Sequence, residues 1–149
     1  MYNNSKTLKY IGGNFETEIW ANVKVGDIIK ITKNEVVPSD ILIIQSSAES
    51  GFAYLETTNL DGENSLKPRE AIIVTNGMEI DNIKGEIEVD HPNNDIYTID
   101  GTLFLNNFDK IFFSVNNTLL RGGKLKNVDY VVGVVLYSGK DTKLMQNIK

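Results

Sequence analysis

Cysteine is absent from the sequence, and histidine occurs once, as His91. Disulfides and thiolate metal sites are therefore excluded. The single imidazole sits beside Pro92 with no ligating neighbours, so it is expected as an exposed loop residue rather than a metal ligand. The lack of cysteine fits a reducing compartment, although secreted chains also do without it. Long apolar runs are missing too: none approaches the roughly 18 residues needed to cross a bilayer. Met1 to Lys9 are polar and carry no signal-peptide core, so the chain as written is expected to be soluble. Positive charge is also in short supply. The formal net charge is −5 and the lysines are scattered among acids. With no basic stripe to meet a phosphate backbone, nucleic acid is excluded as a partner. The sequons Asn3-Asn4-Ser5 and Asn116-Asn117-Thr118 are the short coincidences expected in an Asn-rich chain.

What is present is the composition of a folded domain, 41% hydrophobic and 23% charged over 149 residues, enough to bury a core without staples. The apolar pattern is short and strand-like. Ile28 to Ile31 follows the turn signal Gly26-Asp27, and Ile41 to Ile44 follows Pro38-Ser39-Asp40. Phe52 to Thr57 alternates at period two, as a half-buried strand does. Further strands are expected over 83–89, 97–105, 110–115, 118–121 and 130–137. Helical signal is sparse. A few turns are expected near Lys67 to Ile73, beginning close to Pro68. A tail helix should be capped by Asp141, with Leu144, Met145 and Ile148 on one face. This is a mainly β chain, a sandwich or distorted jelly roll with a few short helices. It reads as one domain, 1–149, with no repeat and no linker. Residues 76–107, rich in Asn, Asp and Gly but carrying two strand-like runs, read as a hairpin insertion.

The chemistry, if any, lies in Asn59-Leu60-Asp61-Gly62-Glu63-Asn64. Two carboxylates flank a glycine just after a strand, where a loop projects from rigid support. Glycine permits backbone angles and close approaches that a side chain forbids. Such a loop delivers a carboxylate as a base or water-orienter. It also has the form of an ordinary acidic turn, Asp-Gly being a common turn dipeptide, and the hexapeptide alone favours that reading. Calcium fails on count, since it takes roughly six to eight oxygens. Gly122-Gly123-Lys124 lacks the spacing of a Walker loop and reads as a strand-end turn. Trp20 is expected to anchor the core, and Lys67 and Arg69 to lie on a solvated face.

Context changes the weight of the loop. The succession Trp20, Val25-Gly26-Asp27-Ile28-Ile29, Pro38-Ser39-Asp40 and Leu55-Glu56-Thr57-Thr58-Asn59-Leu60-Asp61-Gly62-Glu63, then Leu66-Lys67, resembles the actuator domain of P-type ATPases. The type IV branch, the phospholipid flippases, carries Glu-Thr-x-Asn-Leu-Asp-Gly-Glu-Thr-Asn-Leu-Lys, which residues 56–67 match at most positions. The resemblance continues through Pro92-Asn93-Asn94, Tyr97, Gly101-Thr102-Leu103, Leu119-Leu120-Arg121-Gly122 and Leu125-Lys126-Asn127. It closes with Gly133, Val135, Tyr137 and Gly139 to Asn147. Two departures stand out: Asn64 replaces the usual threonine and Ser65 the usual asparagine. Both swaps keep donor and acceptor functions, but the longer amide of Asn64 bears on the rate of dephosphorylation.

The resemblance implies a part of an enzyme with an incomplete site of its own. In such pumps the actuator rotates and presses its loop against an aspartyl-phosphate held by another domain. Glu63 would orient and partly deprotonate the attacking water, Gly62 would permit close approach, and Asp61 would shape the loop or dock it. ATP and Mg2+ would be bound elsewhere in the parent, with no cofactor or metal on this chain. The implied partners are the phosphorylation and nucleotide-binding domains, an accessory β-subunit of the parent, and a phospholipid met through the membrane domain. The implied location is the cytosolic face of a membrane, residues 1–19 leading in from the second membrane helix and 141–149 leading towards the third. Two rivals stand beside this reading. Cation pumps share the loop logic but favour Thr-Gly-Glu, and a free-standing β-sandwich could use the same loops to bind a partner.

Overall fold

The computed structural model describes residues 5–147. In chain order the strands β1 (Lys6–Ile11), β2 (Asn14–Ile19), β3 (Ile28–Thr32), β4 (Asp40–Ser46) and β5 (Phe52–Glu56) lead into a one-turn helix α1 (Thr58–Asp61). β6 (Leu66–Glu70) and a second turn α2 (Ile73–Asn76) follow, then β7 (Gly85–Val89), β8 (Asp100–Leu105) and β9 (Ile111–Ser114). The chain finishes through β10 (Thr118–Leu119), β11 (Lys124–Lys126), β12 (Tyr130–Tyr137) and a last turn α3 (Lys143–Gln146). Three antiparallel sheets result, ordered β10-β4-β12-β3-β1-β2, β11-β5-β6 and β7-β8-β9. The expectation of a mainly β architecture with short helices is met.

The Ile41-Leu42-Ile43-Ile44 run lies in β4, between the short edge strand β10 and β12, with every residue at most 1% exposed. A continuous apolar stretch with no polar alternation is what a strand covered on both faces requires. Its neighbour β12 comes so close that glycine is needed at one point. A Cβ on Gly133 would lie 2.5 Å from Ile41 Cδ1 and 2.9 Å from the Leu42 carbonyl oxygen, and the register slips there by a bulge. Leu103, Leu105 and Phe113 of the third sheet, with Ile99 just before β8, join the same apolar cluster as β4 and β12. The chain thus closes one contiguous core with its own residues.

Four expectations are corrected. Residues 66–70 form a strand paired with β5, not a helix, and only Ile73–Asn76 turns helically. Pro68 is tolerated because β6 is an edge strand whose outer side makes no ladder. Residues 6–19, which carried no strand assignment, form a hairpin turned by Gly12 (φ 57°) and Gly13 (φ 94°). A Gly-Gly pair between alternating residues is the signal that would have found it. Trp20 is half-buried in a helical turn after β2, beside a surface cavity, and stands outside the core cluster. Finally, the cap of α3 is Thr142, whose hydroxyl accepts from Met145 N–H at 3.4 Å, while Asp141 belongs to the preceding turn. Ile148, expected on the face of that helix, lies outside the described residues, as do Asn3 and Asn4 of the first sequon.

A buried polar cluster ties the ends of the fold together. Asp40 is fully buried at the head of β4 and accepts from Arg121 N–H at 2.8 Å and Lys143 N–H at 2.7 Å. Lys143, equally buried, donates its ammonium to Asn93 Oδ1 at 2.7 Å. The Tyr137 hydroxyl meets Asp90 Oδ1 at 3.1 Å, and Asn147 donates to the Asn94 carbonyl at 2.9 Å. This is the physical content of Pro92-Asn93-Asn94 and the closing Lys143-to-Asn147 stretch: Asn93 satisfies the buried Lys143 ammonium, and Asn94 and Asn147 close the contact at the surface.

Burial pushes the Asp40 carboxyl up from 3.8 to about 6, outweighing its two backbone donors and the charges of Lys143 and Arg121. A carboxyl whose folded pKa is raised binds protons more readily in the folded state. Its contribution is complete below the unfolded pKa and is lost as pH climbs through 6. Denaturant unfolding at pH 5 should therefore show on the order of 1 kcal/mol more stability from this group than at pH 7.5. The increment should vanish in Asp40→Asn, measured at the same two pH values.

Candidate active-site loop

The loop between β5 and β6 spans residues 57–65 and is held at both ends by the β5–β6 ladder, in which Glu56 faces Leu66. Thr57 is buried, 3% exposed, and its hydroxyl sits 3.0 and 2.9 Å from the two carboxylate oxygens of Asp61. The i, i+4 spacing across one helical turn makes that bond possible. Asp61 Oδ1 also accepts from Glu63 N–H at 2.9 Å. Gly62 ends the turn in the left-handed region at φ 73°, where its N–H reaches the Thr58 carbonyl at 2.9 Å. A Cβ there would meet no atom within 4 Å. Glycine at 62 therefore answers to the backbone angle and leaves an open face, not to internal packing.

These bonds fix Glu63 from two sides. Its N–H is tied to Asp61, and its carbonyl accepts from the Thr58 hydroxyl at 3.1 Å. The side chain is free of the backbone, 51% exposed, and ion-paired to Lys67 on β6. That pair raises the Lys67 ammonium pKa above its ordinary value, the hydrogen bond with Glu63 being the largest cause. Asn59 donates to the Gly122 carbonyl at 3.0 Å, pinning α1 to the turn before β11. Gly122-Gly123 is thus a strand-end turn with a supporting contact. Asn64 is exposed and makes no side-chain hydrogen bond among the described residues, and the Ser65 hydroxyl lies 3.4 Å from Lys67 Nζ.

The expected residues are therefore brought together, with a division of labour between them. Asp61 is saturated by loop contacts, whereas Glu63 presents its carboxylate outward on a clamped backbone, where it can accept a proton from a water held against it. Thr57 and Asn59, which hold the loop, were not singled out from the sequence; the Thr57-to-Asp61 spacing was the available signal. The solvated face assigned to Lys67 and Arg69 is corrected for Arg69, which is 8% exposed. It alternates with Lys67 on β6 and shares that residue's face, beside a cavity of about 270 Å³ that Asp61 also lines. His91 is exposed in the loop after β7. Among the described residues no group of three or more His, Asp or Glu side chains forms a metal site.

A family profile described as "P-type ATPase actuator domain" matches residues 2–149. The chain belongs to the P-type ATPase actuator domains. Relatives that match this actuator domain include "Phospholipid-transporting ATPase FetA" of Mus musculus, 42% identical over 97% of the chain, and "Probable phospholipid-transporting ATPase 12" of Arabidopsis thaliana, 40% identical over 97%. "Phospholipid-transporting ATPase ID" of Homo sapiens is 41% identical over 97%. The actuator domain spans 13%, 13% and 12% of those proteins' lengths. A crystal structure titled as a zinc-transporting PIB-type ATPase in the E2.Pi state superposes with a TM-score of 0.54 at 14% identity. It covers 95% of this chain and 15% of that one. At that identity the likeness speaks for the fold alone.

Proposed function

We propose that this actuator domain serves a phospholipid-transporting P-type ATPase of the type IV branch, where it drives hydrolysis of the aspartyl-phosphate intermediate and couples it to lipid movement. The observation that carries the reading is Glu63, a half-exposed carboxylate held outward by a loop whose backbone is tied at Thr58 and Asp61. Presented to an acyl phosphate, Glu63 orients a water and takes its proton as the water oxygen bonds to phosphorus. The bond from phosphorus to the acyl oxygen breaks and the aspartate leaves as a carboxylate. Catalysis of such a step is largely positioning and charge stabilisation. Gly62 keeps the approach open, and Asp61 holds the turn in register.

ATP and Mg2+ belong in this reading to other domains of the parent. The two acids of the loop do not fit a metal, since Asp61 is engaged by Thr57 and Glu63 N–H, and Glu63 by Lys67. The proposed partners are the phosphorylation and nucleotide-binding domains, an accessory β-subunit, and a phospholipid reached through the membrane domain, all at the cytosolic face. No helix among the described residues is long and apolar enough to cross a membrane. The same reading makes 141–149 the lead into the third membrane helix and 76–107 an insertion. Against the cation-pump alternative stand the phospholipid-transporting names of relatives near 40% identity. The free-standing module is set aside by the family match over residues 2–149.

The experiment is a graft. Placed in the Arabidopsis relative instead of that protein's own actuator, this chain should sustain phospholipid transport, and the same graft carrying Glu63→Gln should not. Loss of transport in both grafts, with phosphoenzyme still formed, would contradict the assignment to the lipid branch. The chain alone has no Asp-Lys-Thr-Gly phosphorylation motif. It is expected to hydrolyse ATP no faster than a buffer blank, and turnover above that blank would contradict the division of roles.

A further inference from the structure

Arg69 and Arg121 each bury an Nε without a partner, but Arg121 donates its Nη1 to the Gly139 carbonyl at 3.2 Å, whereas the Arg69 guanidinium meets no acceptor among the described residues. Asp40, Lys143, Thr57 and Thr75 are all buried, and each finds a partner: two backbone N–H groups, Asn93, Asp61 and the Ile44 carbonyl. The Arg69 side chain, 92% buried by its 8% exposure, makes no hydrogen bond and no ion pair among the described residues, and its Nε is shielded from solvent. A guanidinium carries five N–H donors and stays charged in proteins. Burying its Nε–H with no acceptor carries a desolvation cost that a docked acceptor would relieve. Burial accordingly pulls its pKa down, with no opposing contribution.

The surroundings say what would meet it. Arg69 lines the cavity of about 270 Å³ beside the loop, whose apolar walls include Leu60, Val115 and Leu120. At the mouth stand Tyr97, 65% exposed, and Asn116, whose carboxamide makes no hydrogen bond among the described residues. An exposed aromatic at the rim and an unmet arginine beneath it form the combination that anchors docking partners. The fork of a guanidinium matches a carboxylate in two parallel bonds, and the apolar walls suit the short aliphatic stem behind one. Asp61 and Lys67 line the same cavity with opposite charges, so Arg69 leaves one net positive charge there, which a carboxylate balances and a phosphate dianion exceeds.

We propose that the Arg69 cavity receives the carboxylate of an acidic side chain on the domain surface that the Asp61-Gly62-Glu63 loop meets. The site fixes the docked orientation of the loop, and in this it rests on the reading of that loop as one that docks. Arg69 is a positioning residue: it grips the partner while Glu63 does the chemistry. Its unmet state here is strain held for binding, of the kind that functional sites retain at the expense of stability.

The test uses the 149-residue chain, which closes its own core, labelled with 15N. The Arg69 Nε–H resonance is followed while N-acetylglutamate N-methylamide is added, then its glutamine analogue, then inorganic phosphate at matched ionic strength. A saturable shift with the glutamate probe in the millimolar range is expected, with no shift from the glutamine analogue. Arg69→Met, followed through the backbone amides of the cavity-lining Leu60 and Leu120, should show no glutamate-dependent shift and should melt a few degrees higher, because a buried charge without a partner is replaced by a shorter, apolar thioether. Absence of a shift, an equal shift with the glutamine analogue, or tighter binding of phosphate than of glutamate would each overturn the proposal. So would a lower melting temperature in Arg69→Met, which would make the arginine structural. The wild-type titration with its glutamine control stands even if the variant does not fold. No dephosphorylation is read here, so failure of the titration leaves the role of Glu63 untouched. Failure of that role would in turn leave the binding result intact.

Discussion

Replacing Glu63 with glutamine in the intact parent pump is expected to slow turnover by about 10²- to 10⁴-fold, the range for loss of a positioned general base. The substitution is nearly isosteric. It keeps the backbone ties to Thr58 and Asp61, which use only main-chain atoms of residue 63, so the loop should hold its shape. What it removes is the proton acceptor and the charge that Lys67 now pairs with. Because formation of the phosphoenzyme belongs to other domains in this reading, phosphorylation from ATP should proceed and the phosphorylated form should accumulate. Truncation of Asp61 to alanine should act differently. It strips Thr57 and Glu63 N–H of their acceptor, loosening the aim of Glu63 without removing it, and the loss should be smaller.

The second large effect concerns the buried cluster behind the loop. Asp40→Ala orphans two backbone donors, those of Arg121 and Lys143, at roughly 1–3 kcal/mol each. It also removes the carboxylate charge near the buried Lys143 ammonium, whose hydrogen-bond partner among the described residues is Asn93. Removing a carboxylate whose own ionisation is disfavoured by burial offsets part of this. The net expectation is a loss of about 2–4 kcal/mol, read as a fall of roughly 10 °C in the thermal midpoint. Asp40→Asn, which keeps one acceptor oxygen, should lose less. Equal losses for the two variants would mean that volume, not hydrogen bonding, is what Asp40 supplies.

How far the sequence could be read depended on whether a residue's role was local. The Ile41 to Ile44 run, the period-two alternation from Phe52 and the β12 stretch announced themselves as strands because burial on one or both faces writes itself into the pattern. The Asp61-Gly62-Glu63 turn was equally legible, since a left-handed glycine between acids needs no distant partner. Residues 66–70 were not. Pro68 suggested a helix start, and only the position of β6 at a sheet edge makes a strand acceptable there. Arg69 was hidden for a related reason. The sequence shows a cation among polar residues, while its burial follows from which face of β6 turns towards Leu60 and Leu120. Lys143 shows the same limit, because the groups that satisfy it lie about fifty and a hundred residues away in sequence, at Asn93 and Asp40.

In the proposed mechanism Glu63 activates the water that hydrolyses an aspartyl-phosphate held by another domain. The most direct measurement is the decay of phosphoenzyme formed from radiolabelled ATP in the intact parent and then chased with unlabelled ATP. The wild type should lose its label within a turnover, and the Glu63→Gln protein should form the phosphoenzyme normally yet hold it at least about 100-fold longer. Decay at the wild-type rate in the Glu63→Gln protein would contradict the claim.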